Sequence, residues 1–272
     1  MIILPTYRGA LTPAPTGGSP FSPSSTSPSI WLDASTTAYC YTLNTGGSVV
    51  TDGQAVGRIE DRSGNLRHYS QVVAGQRPVY RSARYNSYGC LEFTASSTHW
   101  LDSVAALSVL NNAAGATAML AMRYRSLKTV YTNTLWFSGS GSVGAARVGV
   151  GTGATGTTQQ HFVGRRADSP AGTFTNLMAG STSFQIESFT INHTTALFNR
   201  YRNGAAVNVN VATGLGTGTY PNVSSARASV GTHDTSSYAD VDLCELILWN
   251  RVLSSTELSD MHSWFNTKYT PS

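Results

Sequence analysis

Charged residues are scarce in this sequence of 272 residues, at 12% of the total, which is about half the share usual in soluble globular domains. Hydrophobic residues make up 40%, so the chain has ample material for a core. Its exposed faces must therefore be covered mainly by Ser, Thr, Asn and Gly, whose hydroxyl and amide groups lose less hydration energy on contact than charges do. Such a surface is typical of extracellular or virion proteins that pack against neighbours.

A basic cluster is also missing. The net charge of +4 is spread along the chain, and the nearest approach to a cluster is the pair Arg165 and Arg166 with Arg147 upstream. Nucleic-acid binding uses a stripe of Lys and Arg, with stackable aromatic residues between them. Nucleic acid is therefore not an expected partner.

Cysteine is rare, and long hydrophobic runs are absent. Cys40, Cys90 and Cys244 form an odd set without close pairs, which argues against a disulfide framework or a zinc knuckle and predicts buried free thiols. No run approaches the 18 apolar residues of a membrane span. The N-terminal sequence also lacks the basic start and apolar run of a secretory signal, so we expect synthesis in a reducing cytoplasm and no membrane partner.

The first 28 residues differ in composition from the rest. From Leu11 to Pro28 the chain is rich in Pro, Gly, Ser and Thr, and such a segment cannot bury enough apolar surface to offset its ordering entropy. We therefore predict a flexible arm over residues 1–28 and a body over residues 29–272. A small apolar group precedes the tether and either folds back onto the body or anchors the chain to a partner, which is another virion protein or a second copy. Its members are Ile2, Ile3, Leu4 and Tyr7.

Beyond Pro28 the sequence consists of short β-type runs separated by Gly- and Ser-rich turns, without alternating helical segments. This pattern is typical of an all-β sandwich or barrel. We expect a strand from Val241 to Trp249 and burial of the following residues: Trp31, Phe93, Leu246, Leu248 and Trp264.

One helix is predicted near the C-terminus. Ser254 or Ser255 offers an N-cap hydroxyl, and Glu257 lies in the first turn, where the helix dipole favours an anion. Apolar residues then recur at helical spacing, so the helix should pack its aromatic stripe on the sandwich. These residues are Leu258, Met261, Trp264 and Phe265.

Four local patterns occur in a fixed order along the body. They are Ile30 to Ala34 (IWLDA), Ile59 to Asn65 (IEDRSGN, followed by Gln71 and Arg77-Pro78, then Leu91-Glu92-Phe93), Tyr201 to Gly204 (YRNG), and Cys244 to Ser254 (CELILWNRVLS). Together they resemble the laminin-G-like, concanavalin A-like jelly rolls of phage and bacterial surface proteins, over residues 29–269. The resemblance implies a jelly-roll β-sandwich with one short C-terminal helix behind an extended N-terminal arm. Lectins, glycan hydrolases, adhesion modules and inert virion parts all have this sandwich fold, so the resemblance alone does not identify the function.

The acidic sequence Asp240-x-Asp242-x-x-Glu245 is similar to the Glu-x-Asp-x-x-Glu strand of some jelly-roll glycan hydrolases. Strand alternation places Asp240 and Asp242 on one face, and a bulge could return Glu245 to it. Here the first position is Asp rather than Glu, and the strand has a closing structural position in the laminin-G pattern. We therefore predict that the chain is not an enzyme; in the structural alternative Glu245 pairs with Arg251 or Arg202.

Two kinds of ligand site remain open. Carboxylate oxygens of Asp234, Asp240 and Asp242 are candidates for a structural calcium ion, although no loop has dense Asp spacing. Aromatic residues beside amide and carboxylate groups on loops are candidates for sugar binding, with ordinary edge or core packing as the alternative. The candidate sugar-binding residues are Tyr220, Asn222, His233, Asp234, Tyr238 and Trp100.

Two functions from different classes fit these observations. In the first, the protein is a non-catalytic structural component on a phage virion surface, a capsid decoration protein or a tail or fibre subunit, which presents a lectin-like sandwich to host-surface glycans. In the second, it is a stand-alone carbohydrate-binding or adhesion module. The low charge and the apolar anchor favour the first; a glycoside hydrolase is the least favoured alternative.

Overall fold

The computed structural model describes residues 21–138, 146–154, 156–166, 174–222, 224–232 and 237–271. Within these ranges the chain forms two antiparallel β-sheets and a short C-terminal helix, α1 (Ser255–Tyr269). The predicted all-β class with a C-terminal helix is therefore confirmed. In chain order, the described strands are β1 (Ile30–Asp33), β2 (Cys40–Leu43), β3 (Gly46–Val49), β4 (Arg58–Ile59), β5 (Tyr69–Ser70), β6 (Val79–Tyr85), β7 (Tyr88–Phe93), β8 (Leu101–Asp102), β9 (Gly115–Tyr124), β10 (Thr132–Ser138), β11 (Ala146–Ala154), β12 (Thr157–Gly164), β13 (Phe174–Met178), β14 (Gln185–Asn192), β15 (Leu197–Arg202), β16 (Ala205–Ala212), β17 (Arg227–Val230) and β18 (Val241–Trp249).

The two sheets have different strand orders. One, which we call the helix-covered sheet, has eight strands in the order β16-β15-β14-β9-β18-β7-β6, with β1 also paired to β18. The opposite sheet has ten strands in the order β13-β12-β11-β10-β17-β8-β5-β4-β2-β3. The first and last strands of the body thus pair in the middle of the helix-covered sheet.

Strand β18 has the bounds predicted from the sequence, and all nine of its residues are buried. One face of the strand contributes Leu246 and Leu248 to the core between the sheets. The other face contributes Ile247 and Trp249 to a second cluster, which α1 covers. Burial on both faces explains why the strand is an almost continuous hydrophobic run rather than an alternating one.

The predicted core is confirmed at four of its five residues, since Trp31, Phe93, Leu246 and Leu248 are all buried. Trp264 is the exception, because it is only half-buried. The neighbouring Phe265 faces the sheet with Met261, and this rotates Trp264 to the flank of the helix. The Trp264 ring packs edge-on against Trp31, with 6.4 Å between ring centroids.

Helix α1 begins in the predicted place, and the structure identifies Ser254 as the N-cap of a capping box. The Ser254 side chain accepts a hydrogen bond from the Glu257 backbone N–H, and the Glu257 carboxylate accepts one from the Ser254 N–H at 2.9 Å. Arg251 donates two further bonds to Glu257, at 2.6 and 2.9 Å. The entry to the helix is therefore fixed by local polar contacts.

The segment before β1 packs on the sandwich. Residues Pro23–Thr26 form a 3-10 turn in which Thr26 is buried. Thr26 accepts hydrogen bonds from Trp249 Nε1 at 3.0 Å and, through its carbonyl, from Arg251 at 2.8 Å. Residues 21–28 thus belong with the sandwich rather than with the predicted arm: besides these hydrogen bonds, Pro23 is buried and Phe21 packs against the second cluster. The anchor residues Ile2, Ile3, Leu4 and Tyr7 lie outside the described ranges.

The cysteine prediction is confirmed: Cys40, Cys90 and Cys244 are buried free thiols. Burial raises the pKa of Cys244 well above its ordinary value. In the described part of the chain, no helix combines the length and the apolar character needed to cross a membrane.

Candidate ligand-binding groove beside the C-terminal helix

A β-bulge in β18 decides which way its acidic residues face. The pairing of β18 with β9 shifts register between Leu243 and Glu245. Leu243 and Leu246 therefore both face the core between the sheets, while Cys244 lies in the cluster under α1. Glu245 also points outward and contacts the helix, so the bulge considered in the sequence analysis is present.

The Glu245 carboxylate is completely buried and holds α1 on the sheet. Its Oε1 accepts a hydrogen bond from Trp31 Nε1 at 2.6 Å. Its Oε2 accepts bonds from Tyr269 Oη at 2.8 Å and from Lys268 Nζ at 2.7 Å. Burial and the nearby Asp33 raise the pKa of Glu245 to about 7, although Lys268 acts in the opposite direction.

The predicted pairing of Glu245 with Arg251 or Arg202 is wrong. Arg251 binds Glu257 at the start of α1, and Arg202 binds Glu187 at 2.6 Å. Lys268, in the last turn of the helix, occupies the position beside Glu245 on the outer face of β18.

Asp33 completes a buried group of charges. It lies directly opposite Glu245 in the pairing of β1 with β18, and its carboxylate is 3.5 Å from Lys268 Nζ. Arg62 also pairs with Asp33 and stacks its guanidinium over the Trp31 ring, 4.0 Å from the centroid. Two acids and two bases, which we call the Asp33–Glu245 cluster, therefore lie together beside the Trp31 ring.

An open groove of about 610 Å³ runs along the flank of α1 above this cluster. We call it the helix-flank groove. Trp264 and Tyr88 are half-buried in its wall, and their ring centroids lie 4.8 and 5.5 Å from Lys268 Nζ. The lining residues are Phe21, Tyr88, Asp260, Ser263, Trp264, Thr267 and Lys268.

This groove combines aromatic faces with a few groups that form hydrogen bonds. Asp260, Ser263 and Thr267 are exposed on the helix, and the described residues show no ion pair to Asp260. An apolar wall with a small number of convergent polar groups is the usual composition of a small-molecule site. The groove can therefore stack the apolar face of a ligand while the helix side chains bond its hydroxyl groups.

Of the candidate sugar-binding residues that the structure describes, which are Trp100, Tyr220, Asn222 and Tyr238, none lies in this groove. The spacing of Asp260, Trp264 and Lys268, each four residues from the last, places all three on one helix face. That spacing is the signal that could have identified the site. The prediction that Trp264 is buried in the core hides this signal, because a core residue would not line a groove.

Tyr220 requires a correction, because it is buried and offers no surface to a ligand. Its hydroxyl donates to the Arg147 carbonyl at 3.3 Å, and its ring packs edge-on against His193 at 4.4 Å. The turn that carries Tyr220 folds its ring inward, which composition alone does not reveal.

The other predicted sugar-binding residues have varied surroundings. Asn222 is exposed, and Tyr238 is half-buried. Trp100 is half-buried and donates from Nε1 to Gln76 Oε1 at 3.2 Å, beneath the Arg227 guanidinium at 5.1 Å. His233 and Asp234 lie outside the described residues, so their predicted roles remain predictions.

The calcium prediction receives no support from Asp240 or Asp242. Asp240 pairs with Lys128 and accepts a hydrogen bond from Ser126. Buried Asp242 accepts one from Tyr85 at 2.6 Å, and its two oxygens lie 3.2 Å from Arg125 and 3.4 Å from Arg84. In the described ranges, no three His, Cys, Asp or Glu side chains form a group suited to a metal ion.

The two antiparallel sheets, their pairing and the terminal helix define a β-sandwich. Solved structures with this fold include the receptor-binding domain of botulinum neurotoxin type G (TM-score 0.54, 13% identity, 87% of this chain and 51% of that one). A second is the serotype D ligand-binding domain in complex with N-acetylneuraminic acid (0.54, 9%, 88% and 51%). A third is the sialidase of Trypanosoma rangeli in complex with the inhibitor DANA (0.53, 13%, 86% and 32%).

These similarities concern the fold alone, because the sequence identities are low. The chain spans about half the length of the two neurotoxin domains and about a third of the sialidase. No protein-family model matches the sequence, and no curated protein matches it.

Proposed function

We propose that this protein is a non-catalytic carbohydrate-binding module and that its ligand lies in the helix-flank groove. The observation that carries the proposal is the pair of accessible aromatic rings, Trp264 and Tyr88, beside the exposed polar side chains of α1. The fold supports carbohydrate binding in general, since a neurotoxin serotype D domain that shares this architecture over about half of its length is in complex with N-acetylneuraminic acid.

The absence of catalysis is part of the proposal and is supported by the positions of the acidic residues. A hydrolytic acid must reach the glycosidic oxygen, whereas Glu245 is buried under α1 with both oxygens hydrogen-bonded. Asp242 is buried among basic side chains. We expect no release of reducing sugar from β-glucans, galactans or bacterial surface polysaccharide. Turnover that Glu245→Gln abolishes in a folded protein would contradict this part.

We also propose that the module works on a phage particle, as a capsid decoration protein or as a tail or fibre subunit, with residues 1–20 as its attachment. The low charge and the apolar residues Ile2, Ile3, Leu4 and Tyr7 support this setting. Mass spectrometry of purified particles should detect the chain at a fixed stoichiometry. Deletion of residues 1–20 should abolish incorporation and leave the sandwich folded; particles that retain the shortened chain would contradict the attachment role.

The binding site is tested by filling the groove from an exposed position. Thr267→Trp adds a large ring at the groove wall, while Ser48→Trp adds the same ring to β3 of the opposite sheet. Glycan-array binding should be lost in the first variant and retained in the second. If Thr267→Trp binds glycans as the unmodified protein does, the helix-flank groove is not the site.

A further inference from the structure

A second groove, of about 530 Å³, lies on the other flank of α1. It runs between the helix and the turn that joins β15 to β16, and we call it the hairpin groove. Ser263 lines both grooves, so this exposed serine marks the ridge of the helix between them. The side chains used below are Tyr201, Asn203, Ser259, His262 and Asn266.

The hairpin groove has no charged lining residue among those described. His262 is the one that could gain a charge, but burial lowers its pKa to about 4. Its Nε2 is hydrogen-bonded to Ser188 Oγ at 2.7 Å, and the Tyr201 ring packs against it at 5.1 Å. The groove therefore presents an aromatic face, an imidazole, amides and hydroxyl groups, which are suited to an uncharged ligand rich in hydroxyl groups.

Hydrogen bonds fix the amide groups of this groove. Asn203 Oδ1 accepts from the Ile186 N–H at 2.8 Å, and Asn266 Nδ2 donates to the Asn203 carbonyl at 3.1 Å. The hairpin turn and the helix are thus joined directly. Gly204 closes the turn with φ of +81°, and a side chain there would approach Asn266 Nδ2 to 3.0 Å. The Asn-Gly turn therefore also keeps this wall of the groove clear.

The helix-flank groove has a similar preference. Its cation, Lys268, is already paired with Glu245 and Asp33. The exposed Asp260 carboxylate would repel an anion and accept hydrogen bonds from hydroxyl groups. A sugar carboxylate would find no unpaired cation in the described lining of either groove.

We propose that the two grooves are subsites of one binding surface and that the ligand is an uncharged oligosaccharide that crosses α1 at Ser263. This inference rests on the proposed function of the helix-flank groove and extends it to a second site and a substrate class. A ligand that fills only one groove would gain only part of the available contact.

The test uses the full chain and a panel of neutral gluco-, galacto- and N-acetylglucosamine oligosaccharides from one residue to six, with sialyllactose as the anionic comparison. Affinity for the best-bound series should rise at least tenfold between the single sugar and the oligosaccharide that reaches both grooves, and sialyllactose should bind more weakly. Tenfold corresponds to about 1.4 kcal/mol of added contact.

Two matched variants separate the grooves. Ser259→Trp fills the hairpin groove and should reduce oligosaccharide affinity to that of the single sugar, whereas Thr267→Trp should remove binding of every length. Ser48→Trp is the control for an added surface ring. In nuclear magnetic resonance spectra, the side-chain amide signals of Asn203 and Asn266 should shift with the long ligand but not with the single sugar.

The outcomes distinguish the two proposals. Binding that Thr267→Trp removes, but that neither gains with length nor responds to Ser259→Trp, would overturn the second subsite and leave the first intact. Preference for sialyllactose would overturn the assignment of an uncharged ligand. Unchanged binding in Thr267→Trp, or no binding by any member of the panel, would overturn both.

Discussion

Lys268 Nζ lies 2.7 Å from Oε2 of Glu245 and joins the last turn of α1 to the closing strand β18. The Glu245 side chain is fully buried, and that of Lys268 is 13% exposed. Removing one partner of a buried ion pair leaves the other charge without compensation, which typically costs about 3–5 kcal/mol. This contact should therefore matter more to stability than the salt bridges at the surface.

Lys268→Met should lower the free energy of unfolding by about 3 kcal/mol, because Asp33 and Glu245 then lose a shared cation. Arg58→Met is the control, since Arg58 pairs with Glu60 at 3.1 Å in a partly exposed position where a loss of less than about 1 kcal/mol is expected. Urea unfolding at pH 8, above the Glu245 pKa of about 7, measures both. Equal, small losses would mean that the buried pair does not hold the helix.

The Glu245 carboxyl should make stability depend on pH. Its pKa is raised from 4.5 to about 7 in the folded protein, so the folded state keeps a proton that the unfolded chain has released. The stability that this group contributes is present in full below pH 4.5 and falls as the pH rises towards 7. His262, whose pKa burial lowers to about 4, acts in the opposite direction over part of this range.

Comparison with Glu245→Gln isolates the carboxyl from the histidines. The free energy of unfolding of the unmodified protein, minus that of the variant, should decrease between pH 4.5 and pH 7 and level off above that range. Denaturant titrations over this range give the difference directly. A difference that stays constant would show that Glu245 is ionised throughout.

The elements that the sequence predicted best are those that local chemistry determines. The start of α1 follows from the reciprocal bonds of Ser254 and Glu257, which lie three residues apart. The bounds of β18 follow from a hydrophobic run that requires burial on both faces. In both cases the deciding contacts involve neighbouring residues or a simple period.

The predictions that were wrong concern residues whose positions depend on contacts between distant parts of the chain. Helical spacing could not decide whether Trp264 or Phe265 faces the sheet, because both lie within the apolar stripe of α1. The partner of Glu245 was likewise set by how the helix docks, which brings Lys268 to it from 23 residues away. The helix-flank groove forms only when the helix packs on the sheet. The sequence shows which residue types are present, but it does not show that they lie next to one another.

Adjacent helix positions should separate stability from binding. Phe265 is fully buried, so Phe265→Ala should cost about 3–5 kcal/mol. Trp264 is half-buried, so Trp264→Ala should cost only about 1–2 kcal/mol, yet it should abolish glycan binding, because it removes the larger ring of the helix-flank groove. Thermal unfolding and glycan binding of the two variants test this. A loss of stability in Trp264→Ala as large as that in Phe265→Ala would show that Trp264 is a core residue.

Two glycines provide a matched test of how closely the β15–β16 turn rests on α1. Gly204 and Gly64 have similar positive φ angles, +81° and +86°, so alanine at either position costs about 1–2 kcal/mol in backbone strain. Around Gly64 the added carbon would find no atom within 4 Å, whereas at Gly204 it would lie 3.0 Å from Asn266 Nδ2. To relieve that contact, the amide must shift and weaken its 3.1 Å bond to the Asn203 carbonyl, a further loss of about 1 kcal/mol.

Urea unfolding should therefore show Gly204→Ala to be less stable than Gly64→Ala by about that amount. Equal losses would mean that the Asn266 amide moves without cost and that the turn is not held by the helix.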